Sequence, residues 1–241
     1  MKLKTTPLAA LAALAMIGTA SAVTTVTYSY YTATSSADTS WVSPTGSTSV
    51  TAVNFGGGET TFGGVTWLTG NPGNGSYNNA STIQMWNTAP YEAWANNASV
   101  FYSGGPNLLN DGSWSATQQN GVNFQIDLNG FTVGQAYLVQ FVFADTRAIY
   151  GQTVAIDNYS TNISASADSV AQQFAYADGR FSVITASFTP GAGDTNFSFR
   201  ALTDEGTGTQ INGIQVLTIP EPSAAFLGGL GMLVLLRRRR A

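Results

Sequence analysis

Cysteine and histidine are both missing from this 241-residue chain. Their absence excludes disulfides, thiolate chemistry, zinc or haem sites built on those ligands, and any catalytic dyad or triad that relies on histidine. Basic residues are nearly missing from its centre. Lys2 and Lys4 stand at one end, Arg237, Arg238, Arg239 and Arg240 at the other, and only Arg147, Arg180 and Arg200 lie between. All thirteen acidic residues except Glu221 fall in that central part. Three scattered arginines make no electropositive track for phosphates, so no nucleic-acid partner is expected. The excess of acid suits solubility, calcium or a hydrated polysaccharide matrix. Helical periodicity is scarce as well.

What is present is concentrated first at the two ends. Lys2 and Lys4 precede an apolar run from Leu8 to Ile17 and then Ala20-Ser21-Ala22. That is a charged n-region, an h-region and a small-x-small site, so residues 1–22 read as a signal peptide cut after Ala22, with Ala20 and Ala22 as the recognised small residues. At the other end, Pro220-Glu221-Pro222 precedes an uncharged run from Ser223 to Leu236 and then four arginines. The prolines hold the approach extended. The run, with Leu227, Leu230, Leu233, Leu235 and Leu236, is expected to form a membrane helix, because lipid leaves the backbone no other way to satisfy its polar groups. Fourteen residues reach roughly 21 Å at the helical rise, short of a hydrocarbon core of about 30 Å. Snorkelling arginines and local thinning close part of that gap. The arginines keep the C-terminus cytoplasmic and send everything before it outward.

This order of parts resembles the PEP-CTERM sorting signal of Gram-negative bacteria. The resemblance implies export by the Sec machinery and a transient inner-membrane anchor. It also implies processing near Pro220, Glu221 and Pro222 by an exosortase-type membrane enzyme, with delivery to the cell surface or extracellular matrix. An ordinary single-pass anchor is the alternative; it needs no Pro-Glu-Pro and is normally nearer twenty apolar residues.

Residues 23–219 remain as one passenger domain, large enough for a real core. Gly, Ser, Thr and Asn punctuate short aromatic and β-branched runs. Strands are expected at Thr25 to Tyr31, Ser49 to Phe55, Thr60 to Leu68, Ser81 to Trp86 and Ala98 to Tyr102. The second half adds Gly121 to Leu128, Gln135 to Ala144, Gln152 to Asn158, Phe181 to Phe188, Asn196 to Ala201 and Gln210 to Leu217. Turn-rich punctuation such as Asn129-Gly130 separates them, which argues for an all-β, antiparallel, jelly-roll-like sandwich. Alternation sets Phe124, Ile126 and Leu128 against Asn123, Gln125 and Asp127, and sets Tyr137, Val139, Phe141 and Phe143 on one face of the next strand. Gly213 is expected to mark a bulge or a close backbone contact. Ala165 to Ala175 has a weak helical reading. The Gly130 to Tyr137 turn leading into a long strand, paired with the closing Ile211-Asn212-Gly213-Ile214, resembles galactose-binding or carbohydrate-binding β-sandwich modules.

Three kinds of chemistry are open to this passenger. Trp67, Trp86, Tyr91, Trp94, Tyr102 and Trp114 could stack sugar rings or simply fill a disulfide-free core; Trp94 and Trp114, flanked by polar residues, are the candidate glycan contacts. Asp127, Asp145 and Asp157 sit at or near strand ends. A glycosidase needs two carboxyls about 5–5.5 Å or 6.5–9.5 Å apart, whereas an Asp145–Arg147 ion pair explains those two residues without catalysis. Asp194 and Asp204-Glu205 offer oxygen ligands for a structural calcium, or are plain acidic turns. No EF-hand spacing or metal motif is present, and no cofactor is expected. The expectation is an exported binding or structural protein acting on exopolysaccharide; a carboxylate-based glycan-acting enzyme is the alternative.

Overall fold

The computed structural model describes residues 24–55, 58–70, 76–79, 83–87, 91–94, 107–110, 112–115, 124–144, 153–158, 170–173, 180–203 and 209–220. The expected strand Ala98 to Tyr102, Asp145, Asp204-Glu205, the leader with Ala20 and Ala22, and the tail from Glu221 onward lie outside them. Among the described residues no helix is long and apolar enough to cross a membrane.

The strands are β1 (Thr27–Ala33), β2 (Thr48–Phe55), β3 (Thr60–Phe62), β4 (Val65–Gly70), β5 (Ser76–Asn79), β6 (Ile83–Asn87), β7 (Tyr91–Trp94) and β8 (Gly112–Ser115). They continue with β9 (Phe124–Asn129), β10 (Ala136–Phe143), β11 (Thr153–Asn158), β12 (Val170–Gln173), β13 (Phe181–Phe188), β14 (Asn196–Thr203), β15 (Thr209–Ile211) and β16 (Gly213–Ile219). One helical turn, α1 (Asn107–Asn110), precedes β8. A seven-stranded sheet runs β1-β13-β10-β16-β2-β4-β3, a six-stranded sheet runs β12-β11-β14-β9-β6-β5, and a three-stranded sheet runs β15-β8-β7. The pairing is antiparallel except at β2 and β4, which run parallel, so the sandwich is not purely antiparallel.

The two larger sheets face each other across the main core. Alternation puts Tyr137, Val139, Phe141 and Phe143 of β10 against Ile126 and Leu128 of β9 and Phe197 and Phe199 of β14, all buried. Rings interlock across the gap, with Phe141–Phe199 centroids 5.3 Å apart and Phe188–Phe197 4.1 Å apart. Each such side chain contributes about 1.5–3 kcal/mol of burial, so these strands are held in register by their phenylalanines.

The opposite face of the seven-stranded sheet is covered too. Trp41 and Val42, Phe62 and Trp67, and Leu108 and Leu109 close over Val142, Ala144, Phe181 and Val183. The segment that brings Trp41 in is braced by Asp38, whose carboxylate accepts bonds from the Tyr31 hydroxyl (2.5 Å) and the Ser40 hydroxyl (2.8 Å) and amide (3.0 Å). These bonds, the Tyr31 one first, hold the Asp38 carboxyl below its usual pKa. The Asp38 carbonyl accepts the Trp41 indole N–H at 3.1 Å. Beneath it, Gln140 donates to the Trp41 carbonyl at 2.7 Å.

Two expected strands are split. Thr60 to Leu68 is the hairpin β3–β4, turned by Gly63 and Gly64 at φ 61° and 78°, a region that disfavours a Cβ. Gln210 to Leu217 is β15 and β16, parted at Asn212. Gly213 marks a close approach and no bulge: an added Cβ would meet Leu108 and the Val53 carbonyl at 2.8 Å and Trp67 at 3.0 Å. The register shift in this strand lies at Val216/Leu217. Within Ala165 to Ala175, the described part, Val170–Gln173, is a strand.

The sandwich has two unlike ends. Thr27, Ser187, Leu138 and Leu217 align across the seven-stranded sheet near one of them, and Ala136 pairs Ile219 there. Both ends of the described domain leave from this terminal end. Thr24 is tied down by donating to Asp194 (2.5 Å) and accepting from the Gly191 amide (2.7 Å). Ile219 is held through its carbonyl by the Gln135 side chain at 2.7 Å. Ala33, Phe181, Phe143 and Gly213 mark the far end.

Candidate functional site

The three-stranded sheet hangs from the far end. β7 follows β6 and β8 precedes β9 where those strands reach the far end, while β15 links β14 to β16. Asn212 fastens it. Its side chain accepts the Ala144 amide (2.7 Å), its backbone N–H donates to the Val142 carbonyl (2.9 Å), and its carbonyl accepts the Phe55 amide (2.8 Å). A fully buried asparagine with its backbone and side chain both bonded positions this corner firmly.

Register then decides which residues share a face. Ala93, Ser113 and Ile211 are aligned, and Ile211 is fully buried in the main core. The other face carries Glu92, Trp114 and Gln210 in one row and Trp94 opposite Gly112 in the next. Trp94 and Trp114 therefore hold diagonal register positions on one face, about 7–8 Å apart. Glu92 and Gln210 hold the register positions on either side of Trp114, a pairing the sequence alone did not reveal.

The other candidates separate. Trp67 is fully buried in the outer hydrophobic cluster, its indole N–H donating to the Phe62 carbonyl at 3.3 Å, so its role is packing. Tyr91 pairs Ser115 on the face shared with Ile211. Asp194 braces Thr24 in the β13–β14 turn, a structural role. Of the sorting element only Pro220 is described; it is exposed, one residue beyond β16.

Asp127 and Asp157 both fall on the outer face of the six-stranded sheet, opposite the core-facing Ile126 and Phe199. One row there reads Ser76, Trp86, Gln125, Arg200, Asp157, and the adjacent row holds Gln84, Asp127 and Ser198. Two strand spacings of about 4.8 Å and one two-residue step of about 6.8 Å separate the two aspartates by roughly 12 Å at Cα. Arg200 and Ser198 occupy the strand between them. Asp127 accepts the Ser198 hydroxyl at 2.6 Å and the Gln125 amide at 3.1 Å.

No protein-family model matches the chain, and no curated protein matches it. Among solved structures it is similar to the carbohydrate-binding and glycoside hydrolase modules of a Clostridium thermocellum endo-1,4-β-D-xylanase complexed with xylohexaose. There the TM-score is 0.33 at 10% identity, over 70% of this chain and 29% of that one. It is also similar to an exo-β-1,3-galactanase of Phanerochaete chrysosporium with galactose, at TM-score 0.21 and 15% identity, over 64% of this chain and 30% of that one. The chain spans less than a third of either protein, and likenesses at this level assign neither a family nor a ligand.

Proposed function

We propose that this is an exported surface or extracellular-matrix protein, sorted through a PEP-CTERM tail by an exosortase-type enzyme, whose sandwich binds or structures exopolysaccharide. One observation carries the reading: β16, the last described strand, ends at Ile219, whose carbonyl accepts the Gln135 side chain, and the exposed Pro220 begins the Pro-Glu-Pro element at once. A processing enzyme working there would meet an exposed Pro220 and leave every described strand in place. Thr24, two residues past the expected leader junction, is anchored at the same end, so both tags would leave the domain together. The positions of Trp94 and Trp114 lie on the small sheet, at the end opposite both tags. Binding is favoured over carbohydrate cleavage because Asp127 is already occupied by bonds from Ser198 and Gln125, which accounts for that carboxylate without catalysis.

The test is the intact mass of the protein from its native host. A mass ending near Pro220 to Pro222, with or without an added group, supports sorting and release. A mass running to Ala241 would make the tail a retained anchor and the protein membrane-tethered.

A further inference from the structure

We propose that the terminal end of the sandwich is a lipid-facing surface, which lies against the headgroup layer of the bilayer for as long as the tail anchors the chain. The inference rests on the reading of the tail as a membrane anchor, and adds to it a contact made by the folded domain itself.

Chain length brings the two together. The Ile219 carbonyl is held by the Gln135 side chain at 2.7 Å, and the uncharged run of the tail begins at Ser223. Only Pro220, Glu221 and Pro222 lie between them. Three residues of extended chain reach about 10 Å, so an anchored tail gives this end of the domain no room to stand clear of the membrane surface.

The end is a braced platform. The Phe131 amide donates to the Thr195 carbonyl at 3.1 Å and the Gly134 amide to the Pro190 carbonyl at 2.9 Å, which stitches the β9–β10 turn to the β13–β14 turn. Thr24 joins them through Asp194 and the Gly191 amide. Residues 132–135 close a β-turn, with the Gln135 amide donating to the Thr132 carbonyl at 3.2 Å and Gly134 at φ 83°. Val133 takes a corner of that turn and is 48% exposed. A valine held out on a braced turn presents apolar surface where polar residues and glycine are the rule.

Charge permits the approach. The centre of the chain holds every acidic residue except Glu221, yet Asp194 is the one charged residue in segments 24–26, 130–135 and 189–195. Its carboxylate accepts the Thr24 hydroxyl. With small neutral residues around Val133, this end meets anionic headgroups with little repulsion. One valine makes a weak contact alone, and the tether supplies it at high effective concentration. Cutting near Pro220 would remove tether and contact together, so release would need no further step.

The experiment uses the absence of native cysteine, which lets one introduced thiol carry a fluorescent probe without background. The full chain after leader removal, residues 23–241, is placed in vesicles of phosphatidylethanolamine and phosphatidylglycerol. The probe sits at Val133→Cys or, at the far end, at the exposed Thr34→Cys; the length of β1 alone sets those ends about 20 Å apart. Acrylamide, a neutral quencher, should act several-fold less on the Val133→Cys probe than on the Thr34→Cys probe, and added salt should not change that. Val133→Asp should return a probe at Thr195→Cys to the far-end value. Equal quenching at both ends of a chain that floats with the vesicles overturns this inference and leaves the anchor reading standing. A chain that does not float overturns the anchor reading and this inference with it. Protection seen in host membranes and not in pure lipid would make the end a protein-docking surface and overturn the lipid assignment.

Discussion

The two large sheets share one core but differ in what covers their backs. The seven-stranded sheet is buried on both faces over its far half, by the phenylalanine core on one and by the Trp41, Phe62, Trp67 and Leu108 layer on the other, while Tyr30, Val50 and Leu68 stay exposed elsewhere on it. The six-stranded sheet turns one face to the same core, while its outer rows are filled with polar positions around Trp86. The first sheet therefore packs apolar residues on both faces, and the second sets an apolar face against polar, half-buried positions such as Gln125, Asp127 and Ser198. Sequence pattern mirrors this. In β10 the outward set includes Leu138 and Val142 with Gln140, whereas in β9 it is Gln125, Asp127 and Asn129. A strand apolar on both faces signals cover on both sides.

The comparison breaks first in the core. Phe141→Ala removes a fully buried ring that packs on Phe199 and should cost about 3–5 kcal/mol. Trp41→Ala should fall at the lower end of that range, because it caps the sheet from a connection that can settle inward. Denaturant midpoints of the two variants rank them; an equal or greater loss for Trp41→Ala would make the outer layer a second main core and no mere cover. Gly213→Ala comes next. The added methyl meets backbone at Val53 and the side chains of Leu108 and Trp67, so a loss of about 1–3 kcal/mol is expected. A neutral result in thermal melts would mean the outer layer yields easily.

The smallest effect is the pH dependence at Asp38. Its folded pKa is lowered by the Tyr31 and Ser40 bonds, so the carboxylate's contribution is present above the unfolded value of about 3.9 and fades as pH falls through the lower folded value. Solvent screening at this exposed position keeps it slight. Melting temperatures of the parent and Asp38→Asn should differ at pH 7 and converge towards pH 2. A gap that persists at pH 2 would remove the carboxylate from the bracing of Trp41.

Much of the sandwich was legible from alternation. Phe181 to Phe188 is a strand at the expected bounds, and β9, β10 and β14 face the way their phenylalanines require. What escaped was short or non-local. Ser-Tyr-Asn-Asn, Tyr-Glu-Ala-Trp and Gly-Ser-Trp-Ser are too brief to show a period, yet they form β5, β7 and β8. The break at Asn212 was hidden because its bonds go to Val142, Ala144 and Phe55, far away in sequence. Trp94 and Trp114 were legible singly as polar-flanked aromatics; their shared face, and the row joining Trp86 to Arg200, depend on pairings between distant strands. The small signal available was the outward set Gln125 and Asp127, which alternation did identify.

The placement of both domain ends on one side has a mechanical consequence. Among the described strands β1 is an edge paired with β13, while β16 is gripped by β10 and β2. Its antiparallel bonds lie across the strand, so tension drawn through Thr24 and Pro220 would load them one after another, as a zipper is opened. β1 would peel first and β16 would hold. A tether through the C-terminal side alone leaves β1 unloaded and puts any pull on the best-gripped strand.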